Sequence, residues 1–317
     1  MATMYVTVAG AGDKSGSSWA NAMGYAEFET DFEGSAAAGD IYYVMSGTYT
    51  LTSNLLSSLD GTAASMINVI GVSDESETEA QGTDRPFFDG GASYGVRVDN
   101  YWQWKNCRFE GEQTYVLRGD TGTKVINCKA DNSSGTADRS AIDIEGLYSL
   151  VFNCEGISDA GYGIGMFSTQ GQVYGCYAHD SKSGIHVSGR SSVSFNIVDT
   201  CTTYGVQVTG ATIEFGYICN NTIYNCVTGI NAIAGQAYIV LNNQIVTNTT
   251  KGIVWASAIE ANLFDYNNYN GNTGGDTTNV TKGSGATANA PGFTDAGGGD
   301  FSGVDSDDAF AILLGVS

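Results

Sequence analysis

The chain has 317 residues, of which 43 are Gly and 2 are Pro, and it carries 34 Asp and Glu against 13 Lys and Arg. The formal charge of −21 repels phosphate backbones, so nucleic acid is excluded as an expected partner. Residues 1–10 lack the basic start and apolar segment of a secretory signal, and no stretch approaches the roughly 20 apolar residues of a membrane helix. We therefore expect neither a signal peptide nor a membrane anchor.

Residues 1–40 are predicted to form an N-terminal cap. Within residues 14–39, Trp19, Phe28 and Phe32 are spaced as in a short amphipathic helix. A helix at this position would cover the strand edges and the core that the first coil of a repeat leaves open. Strand-like stretches follow at residues 40–44, 47–50 and 66–70, and they indicate the first coils.

Residues 41–270 contain an internal repeat, in which a small residue, usually Gly, precedes alternating apolar residues. From Gly163 to Gly252 the successive steps are 21, 21, 24 and 23 residues. A unit of roughly 22 residues cannot bury its own apolar face, but stacked units close a continuous core. We predict an all-β fold, a single-stranded right-handed parallel β-helix of about ten coils. The copies begin at Gly95, Tyr115, Ala141, Gly163, Gly184, Gly205, Gly229 and Gly252.

A second strand precedes each copy and ends in Cys or Asn. Stacking aligns these terminal residues on successive coils, where we expect buried free thiols, because seven Cys without a C-x-x-C pair do not indicate a zinc or redox site. The predicted column is Cys107, Cys128, Cys154 and Cys176, and the strands are residues 104–107, 125–128, 151–154, 173–176, 193–196, 239–242 and 259–262.

A polar turn lies between the two strands and predicts a second ladder. Its members are taken as the residues four positions before the repeat Gly, where Asn and Asp side chains hydrogen-bond to turn backbone. They are Asp159, Asp180, Cys201, Asn225 and Asn248.

Residues 271–317 are predicted to form an irregular C-terminal cap or tail, because the period fails beyond about Gly271. The apolar run Ala309–Leu314 is expected either to pack against the end of the coil or to form an oligomer contact. No cofactor is expected. Calcium stays open as a weak alternative at the tail carboxylates, whose spacing lacks the Gly and the distal Glu of an EF-hand loop. These are Asp305, Asp307 and Asp308.

The chain resembles the pectate-lyase-like superfamily of right-handed parallel β-helix proteins. Its opening is similar to that of many bacterial and phage β-helix proteins of unassigned function, and its closing segments resemble their last coil. The resemblance covers nearly the whole chain and implies the fold, but not one activity, because this fold carries lyases, hydrolases, epimerases and inert virion parts. The matching segments are Tyr5–Val8, Gly16–Ala22, Gly39–Val44, Ser46–Thr50, Ala290–Asp295 and Asp300–Phe301.

In members that degrade polysaccharides, catalysis takes place on the outward face of one parallel sheet. On the strand after the repeat Gly, successive side chains point alternately inward and outward, which places Asp143 and His186 on the outward face. They are two coils apart, or about 9.6 Å. With the nearby Arg190 they are the catalytic candidates if the chain is an enzyme. One Asp with a Gly on the next coil supplies too few oxygen ligands for Ca²⁺, which takes six or more. The outward column is Arg97, Asp143, Gly165, His186, Gln207, Asn231 and Val254, with Glu145 beside it.

Two further groups of residues are weaker candidates. His179 and Asp180 form a rival catalytic pair, but a place in the turn ladder for Asp180 and solvent exposure of His179 are the favoured explanation. A set of aromatic residues could stack on sugar rings, although alternation directs about half of them into the core. These are Trp102, Trp104, Tyr115, Tyr148, Tyr162 and Tyr174.

The sparse outward column favours a non-catalytic structural role on the surface of a bacteriophage particle, as a capsid decoration or a tail spike or fibre. The expected partners are other virion proteins and further copies of the chain in a homotrimer, which buries lateral surfaces. The alternatives are an extracellular polysaccharide lyase or glycoside hydrolase, and a module that binds a cell-surface glycan without turnover.

Overall fold

The computed structural model describes residues 1–303 except residue 92 and the segments 112–114, 133–138, 169, 211–214, 234–236 and 257–262. The predicted strand at 259–262, the apolar run Ala309–Leu314 and the tail carboxylates Asp305, Asp307 and Asp308 lie outside the described residues. In the described part, three long parallel sheets wind around one core, which confirms the predicted β-helix. The sheets are named A, B and C in the order in which the chain visits them on each coil.

Sheet A is formed by eleven described strands, and on each coil its strand comes first in chain order. Its strands, in spatial order, are Thr3–Val6, Ile41–Met45, Ile67–Val72, Trp102–Lys105, Lys124–Ile126, Leu150–Phe152, Gln172–Tyr174, Ser192–Ser194, Phe215–Cys219, Ala237–Leu241 and Leu263–Asp265.

Sheets B and C each contain ten described strands, consistent with about ten coils. Sheet B consists of Thr48–Thr50, Phe87–Asp89, Arg108–Glu110, Lys129–Asn132, Glu155–Ser158, Tyr177–His179, Ile197–Asp199, Thr222–Tyr224, Gln244–Val246 and Asn268–Asn270. Sheet C consists of Leu55–Ser57, Val96–Val98, Tyr115–Gly119, Ser140–Ile144, Tyr162–Met166, Ser183–Ser188, Tyr204–Thr209, Thr228–Ala232, Lys251–Trp255 and Thr277–Thr278.

Each inward position repeats one residue type from coil to coil, because parallel strands in register stack equivalent side chains. On sheet C the pairing runs from Ile142 through Ile164 and Ile185 to Val206, all of them fully buried. The repeat Gly allows the coils to approach closely. A Cβ atom on Gly205 would come within 2.6 Å of the carbonyl oxygen of the equivalent Gly on the next coil.

The turn from sheet A to sheet B contains a buried ladder that begins with the predicted Cys column. The backbone N–H of Cys128 donates to Sγ of Cys154 at 3.5 Å, and that of Cys176 donates to Oδ1 of Asn196 at 2.9 Å. The residue before each ladder position has a positive φ, which Asn tolerates. The column comprises Cys107, Cys128, Cys154, Cys176, Asn196, Asn221, Asn243 and Asn267, and its four Cys are buried free thiols.

The sheet A strand predicted at residues 239–242 is shifted by one residue from its expected register. Val240, rather than Ile239, is the inward residue that pairs with Ile218, so Asn243 and not Asn242 enters the ladder. The next described rung is Leu263–Asp265. The register changes because the loops between sheets C and A differ in length, which a count along the sequence cannot detect.

The turn from sheet B to sheet C carries the second ladder, but with a different membership from that predicted. Asn248 belongs to it, since its Oδ1 accepts from the backbone N–H of Cys226 at 3.1 Å. Asp180 and Asn225 instead precede ladder positions and have φ values of 46° and 52°. Asp159 is exposed, next to the ladder residue Ser158. The ladder comprises Ser158, Ser181, Cys201, Cys226, Asn248 and Asn272.

The spacing between this ladder and the repeat Gly explains the difference. Ser181 lies three residues before Gly184, whereas Asn248 lies four residues before Gly252. A fixed count of four therefore selects the ladder residue on some coils and its left-handed neighbour on others. Both positions favour small polar residues, so composition does not separate them.

The N-terminal end is closed by the predicted short helix, Tyr25–Gly34. Its Phe28 and Phe32 are fully buried, and the ring of Phe32 lies 4.7 Å from that of Trp102. Short 3-10 turns occur at Trp19–Asn21, Gly82–Asp84 and Ala296–Gly298. The helix replaces the neighbouring coil that the first rung lacks. Thr3–Val6, within the predicted cap, already forms a rung with Ile41–Met45.

The C-terminal segment folds back along the side of the β-helix. Strands Phe293–Asp295 and Asp300–Gly303 form an antiparallel hairpin beside sheet B. Phe301 is buried there, with its ring 5.6 Å from that of Tyr224. The hairpin therefore covers part of the outer face of sheet B.

Candidate functional site

The outward column predicted on sheet C lies in the expected register. Asp143 pairs with Gly165, Gly165 with His186, and His186 with Gln207. Arg118 occupies the rung before Asp143, a member of the column that the sequence pattern did not identify. The column points away from the core, yet its central members are buried rather than solvated.

Asp143 is 9% exposed, and its Oδ1 has no hydrogen-bond partner among the described residues. Burial, with the nearby Glu145 carboxylate as a smaller cause, raises the pKa of Asp143 to about 7. Arg118 forms an ion pair with Glu145. A carboxyl group with this pKa is half protonated near neutral pH, as a general acid or base would be.

His186 is 3% exposed and lies between two aromatic rings. Its ring centroid is 4.6 Å from that of Tyr162 and 4.5 Å from that of Phe167. Burial lowers the pKa of His186 to about 4, so the ring is neutral at neutral pH. Its Nε2 lies 2.8 Å from Oγ1 of Thr209. This hydrogen bond fixes the imidazole in its buried position.

The ring of Phe167 also fills the space above Gly165. A Cβ atom on Gly165 would come within 2.6 Å of this ring, so Phe167 covers the rung that separates Asp143 from His186. Arg190 is exposed on the turn after the His186 strand. The structure therefore places Asp143 and His186 in one column but inserts an aromatic ring beside the position where a sugar would have to lie between them.

A second concentration of polar residues lies on the outer face of sheet B, and we call it the charged groove. It is a cavity of about 540 Å³ between that face and the loop that contains the 3-10 turn Gly82–Asp84. Arg108, Lys129 and Glu155 pair on successive rungs of sheet B and form its floor. Arg85 lines it from the loop.

Glu155 is the centre of a hydrogen-bonded network in this groove. Its Oε1 accepts from Nζ of Lys129 at 2.7 Å and lies 3.1 Å from Nε2 of His179. Burial alone would raise the pKa of Glu155, but these two partners hold it at about 2. The Nδ1 atom of His179 lies 2.8 Å from Asp180, and the two acids raise the pKa of His179 despite its burial. The rival pair His179 and Asp180 thus belongs to an ion network.

The remaining cations of the groove differ in their partners. Arg108 pairs with Glu110 at 3.0 Å and stacks over the ring of Phe87. Arg85 is only 7% exposed and forms no ion pair with any described residue. Among the described residues, its guanidinium donates one hydrogen bond, to Oδ1 of Asn127 at 2.7 Å, and its Nε has no partner there.

The floor of the charged groove was missed because the sequence search followed the strands after the repeat Gly. A signal was nevertheless present. Arg108, Lys129, Glu155 and Tyr177 each directly follow a Cys of the predicted column, so the same stacking argument places them on one outward face. Arg85 comes from a long loop outside the repeat, and its contact with the groove had no sequence signal.

The outer face of sheet A is a third surface, which we call the uncharged face. From Leu150–Phe152 to Leu263–Asp265, outward residues include Phe152, Tyr174 and Tyr217, which are 39–47% exposed. Phe152 and Tyr174 stack at 5.6 Å. Asp265 is the one charged residue among the paired outward positions of these described strands, which include Leu150, Phe152, Gln172, Tyr174, Ser192, Ser194, Phe215, Tyr217, Cys219, Ile239, Leu241, Leu263 and Asp265.

The aromatic candidates for sugar stacking fall into different environments. Trp102 and Trp104 are fully buried in the core, whereas Tyr148 and Tyr174 are exposed on separate surfaces. The ring of Tyr115 is covered by the Arg118 guanidinium. Within the described residues, no group of three or more His, Cys, Asp or Glu side chains is arranged to hold a metal ion, and none of the helices has the length and apolar character of a membrane span.

Three parallel sheets, stacked ladders and polar outward faces can each be compared with known proteins. The family described as the right handed beta helix region matches residues 115–269. In the described residues this chain is a right-handed parallel β-helix, the architecture that this family describes. No curated protein sequence matches it.

Solved structures with this fold include enzymes and a tailspike. The β-helix is similar to pectate lyase Pel9A, with a TM-score of 0.64 and 15% identity over 100% of this chain and 89% of the lyase. It is similar to the Dettilon tailspike protein, with a TM-score of 0.55 and 14% identity over 78% of this chain and 50% of the tailspike. At these identities the likeness shows the fold alone.

Proposed function

We propose that this β-helix is a non-catalytic structural protein of a bacteriophage particle, of the capsid-decoration or tail-spike type, and that it assembles as a homotrimer. The observation that carries the proposal is the uncharged face of sheet A. The chain has a formal charge of −21, yet the face between Leu150 and Asp265 carries one charge among its paired outward positions. Copies that meet through this face avoid most of their mutual repulsion.

The chemistry of the face also suits assembly. Exposed aromatic side chains such as Phe152, Tyr174 and Tyr217 are typical of the centre of protein interfaces, and a large apolar patch marks an interaction site. A flat parallel sheet packs laterally against its symmetry copies, as closed cyclic assemblies require. The similarity of the opening segments to phage β-helix proteins and the fold shared with a tailspike support the particle assignment.

The state of the sheet C column supports a role without catalysis. A glycosidase needs two carboxyl groups that flank the scissile bond. Asp143 faces a neutral His186 across a rung covered by Phe167, and the nearby Glu145 carboxylate is paired with Arg118. The column therefore offers neither an unpaired second carboxylate nor a clear path for the sugar.

The assembly is tested by analytical ultracentrifugation of the whole chain. We expect a species of three times the chain mass of 33.2 kDa, and we expect Tyr174→Glu to shift it to the monomer. Leu56→Glu, which places a carboxylate on a similarly exposed apolar residue of sheet C, is the matched control and should stay trimeric. A wild-type chain that is strictly monomeric at tens of micromolar would overturn the proposal.

The absence of catalysis is tested with a panel of acidic and neutral polysaccharides. We expect no new reducing ends and no ultraviolet-absorbing unsaturated products. Turnover of one glycan that disappears in Asp143→Asn or in His186→Gln would show that the chain is a polysaccharide lyase or glycoside hydrolase. Genes for capsid or tail proteins are expected beside the gene for this chain.

A further inference from the structure

Arg85 is the one described guanidinium that combines deep burial with a cavity and without an acidic partner. It is 7% exposed and lines the charged groove. Its position is fixed, because Asn127 holds one of its terminal amino groups at 2.7 Å. Asn127 is itself fixed by Asn106 of the preceding coil, whose Oδ1 accepts from its amide at 2.7 Å. These two Asn side chains, each next to a ladder position of the turn, therefore hold the cation in place.

A buried guanidinium without a carboxylate is costly, because its charge has lost water without gaining a counter-ion. The chain contains 34 Asp and Glu, so a neutralising acid at this place would have been easy to supply. The acids on the groove floor are already engaged. Glu155 is held by Lys129 and His179, and Glu110 by Arg108. The positive charge of Arg85 is left directed at the cavity.

The other two lining cations are each paired with an acid, but each has further N–H donors. Arg108 and Lys129 lie on adjacent rungs, about 4.8 Å apart, so both side chains can approach one oxyanion from the floor of the groove. The exposed Gln81 and Thr83 side chains line the rim. The cavity volume of about 540 Å³ lies within the range of small-ligand sites.

We propose that the charged groove is a binding site for an oxyanion, a carboxylate or sulfate group, with Arg85 as its central ligand and Arg108 and Lys129 beside it. A planar guanidinium binds two oxygens of a carboxylate or sulfate at once, which an ammonium group does not. The anion is carried by a sugar or is free in solution. Because the groove lies on sheet B and not on sheet A, the site does not depend on how the chain assembles.

The experiment is isothermal titration of the whole chain with trigalacturonate and with sodium sulfate, using maltotriose as the neutral control sugar. We expect saturable binding of at least one anionic probe and none of maltotriose. In Arg85→Met, which keeps the packing of the aliphatic stem and removes the charge, the affinity should fall by about tenfold or more. Arg97→Met is the matched control, since Arg97 lies on sheet C and is neutralised by Asp99 and Asp120, and its affinity should not change.

Equal affinity for sulfate and trigalacturonate would identify a free anion as the ligand, and binding of trigalacturonate alone would identify a sugar acid. Either result supports the site. Absence of binding by both anions at millimolar concentration, or unchanged affinity in Arg85→Met, would overturn it. If circular dichroism shows that Arg85→Met does not fold, Lys129→Met replaces it under the same criteria.

Discussion

Oδ1 of Asn221 accepts two hydrogen bonds from Asn196 on the preceding coil, one from its backbone N–H and one from its side-chain amide, each at 2.9 Å. The amide of Asn221 in turn donates to the carbonyl of Val193 at 3.0 Å and to Oδ1 of Asn243 at 2.9 Å. Both residues are fully buried. One side chain thus satisfies groups of the preceding and the following coil and links three successive coils.

Replacing Asn221 with Ala is expected to destabilise the chain by about 2–4 kcal/mol, because buried donors and acceptors on two coils lose their partners. Thr202→Ala, an exposed turn residue of the neighbouring coil, should change stability by less than about 0.5 kcal/mol. Urea unfolding followed by far-ultraviolet circular dichroism measures both. Equal midpoints for the two variants would contradict a stabilising role for the ladder.

Cys219 is expected to be the thiol that reacts first in the native protein. It is the one partly exposed Cys of the seven, on the uncharged face of sheet A, while the other six are buried. Burial still raises the pKa of Cys219, so labelling should be slow at pH 7 and faster at pH 9. Iodoacetamide labelling and peptide mass spectrometry identify the site. Fast labelling of a ladder Cys such as Cys154 in the folded chain would contradict the structure.

The stability of the chain is expected to fall as the pH rises from about 4 to about 7, through Asp143. Its folded-state pKa of about 7 lies above the ordinary value of 3.8, so the folded chain retains a proton that the unfolded chain has lost. The contribution of Asp143 to the free energy of unfolding is fully present below about pH 3.8, and it is lost as the pH rises to about 7. Asp143→Asn should therefore be more stable than wild type by up to about 3 kcal/mol at pH 8, with a gain that shrinks toward pH 4.

Chemical unfolding at a series of pH values measures this difference. Asp159→Asn is the control for the loss of one negative charge, because Asp159 is exposed. A pH-independent gain in Asp143→Asn, or the same gain in Asp159→Asn, would show that Asp143 ionises normally in the folded chain.

Replacing Gly by Ala is expected to change the stability of the chain differently at two positions. Gly165→Ala should destabilise by about 1–3 kcal/mol, because its Cβ would lie 2.5 Å from Oγ of Ser140 and 2.6 Å from the Phe167 ring. Gly34→Ala, at the end of the helix, meets no atom within 4 Å and should be neutral or slightly stabilising. Thermal unfolding compares the two variants. A neutral Gly165→Ala would mean that Phe167 does not cover this rung.

The repeat allowed much of the fold to be predicted, because each coil solves the same packing problem. The pattern from Gly163 to Gly252 predicted the strands of sheet C, and Phe28 and Phe32 predicted the capping helix. Strand registers were less predictable wherever a loop changed length, as at Asn242 and Asn243. A shift of one residue exchanges the side chains that point inward with those that point outward.

The sequence alone determined the coil, the stacked columns and the cap, because local alternation and a constant period are one-dimensional properties of the chain. The tertiary structure decided which outward positions are accessible. Asp143 and His186 point outward as the pattern predicted, yet Phe167 and Tyr162 pack over their rungs. Arg85 reaches a groove floor formed by Arg108 and Lys129 from a loop that no repeat describes. Exposure and charge pairing depend on contacts between distant segments, and those contacts exist only once the coils are stacked.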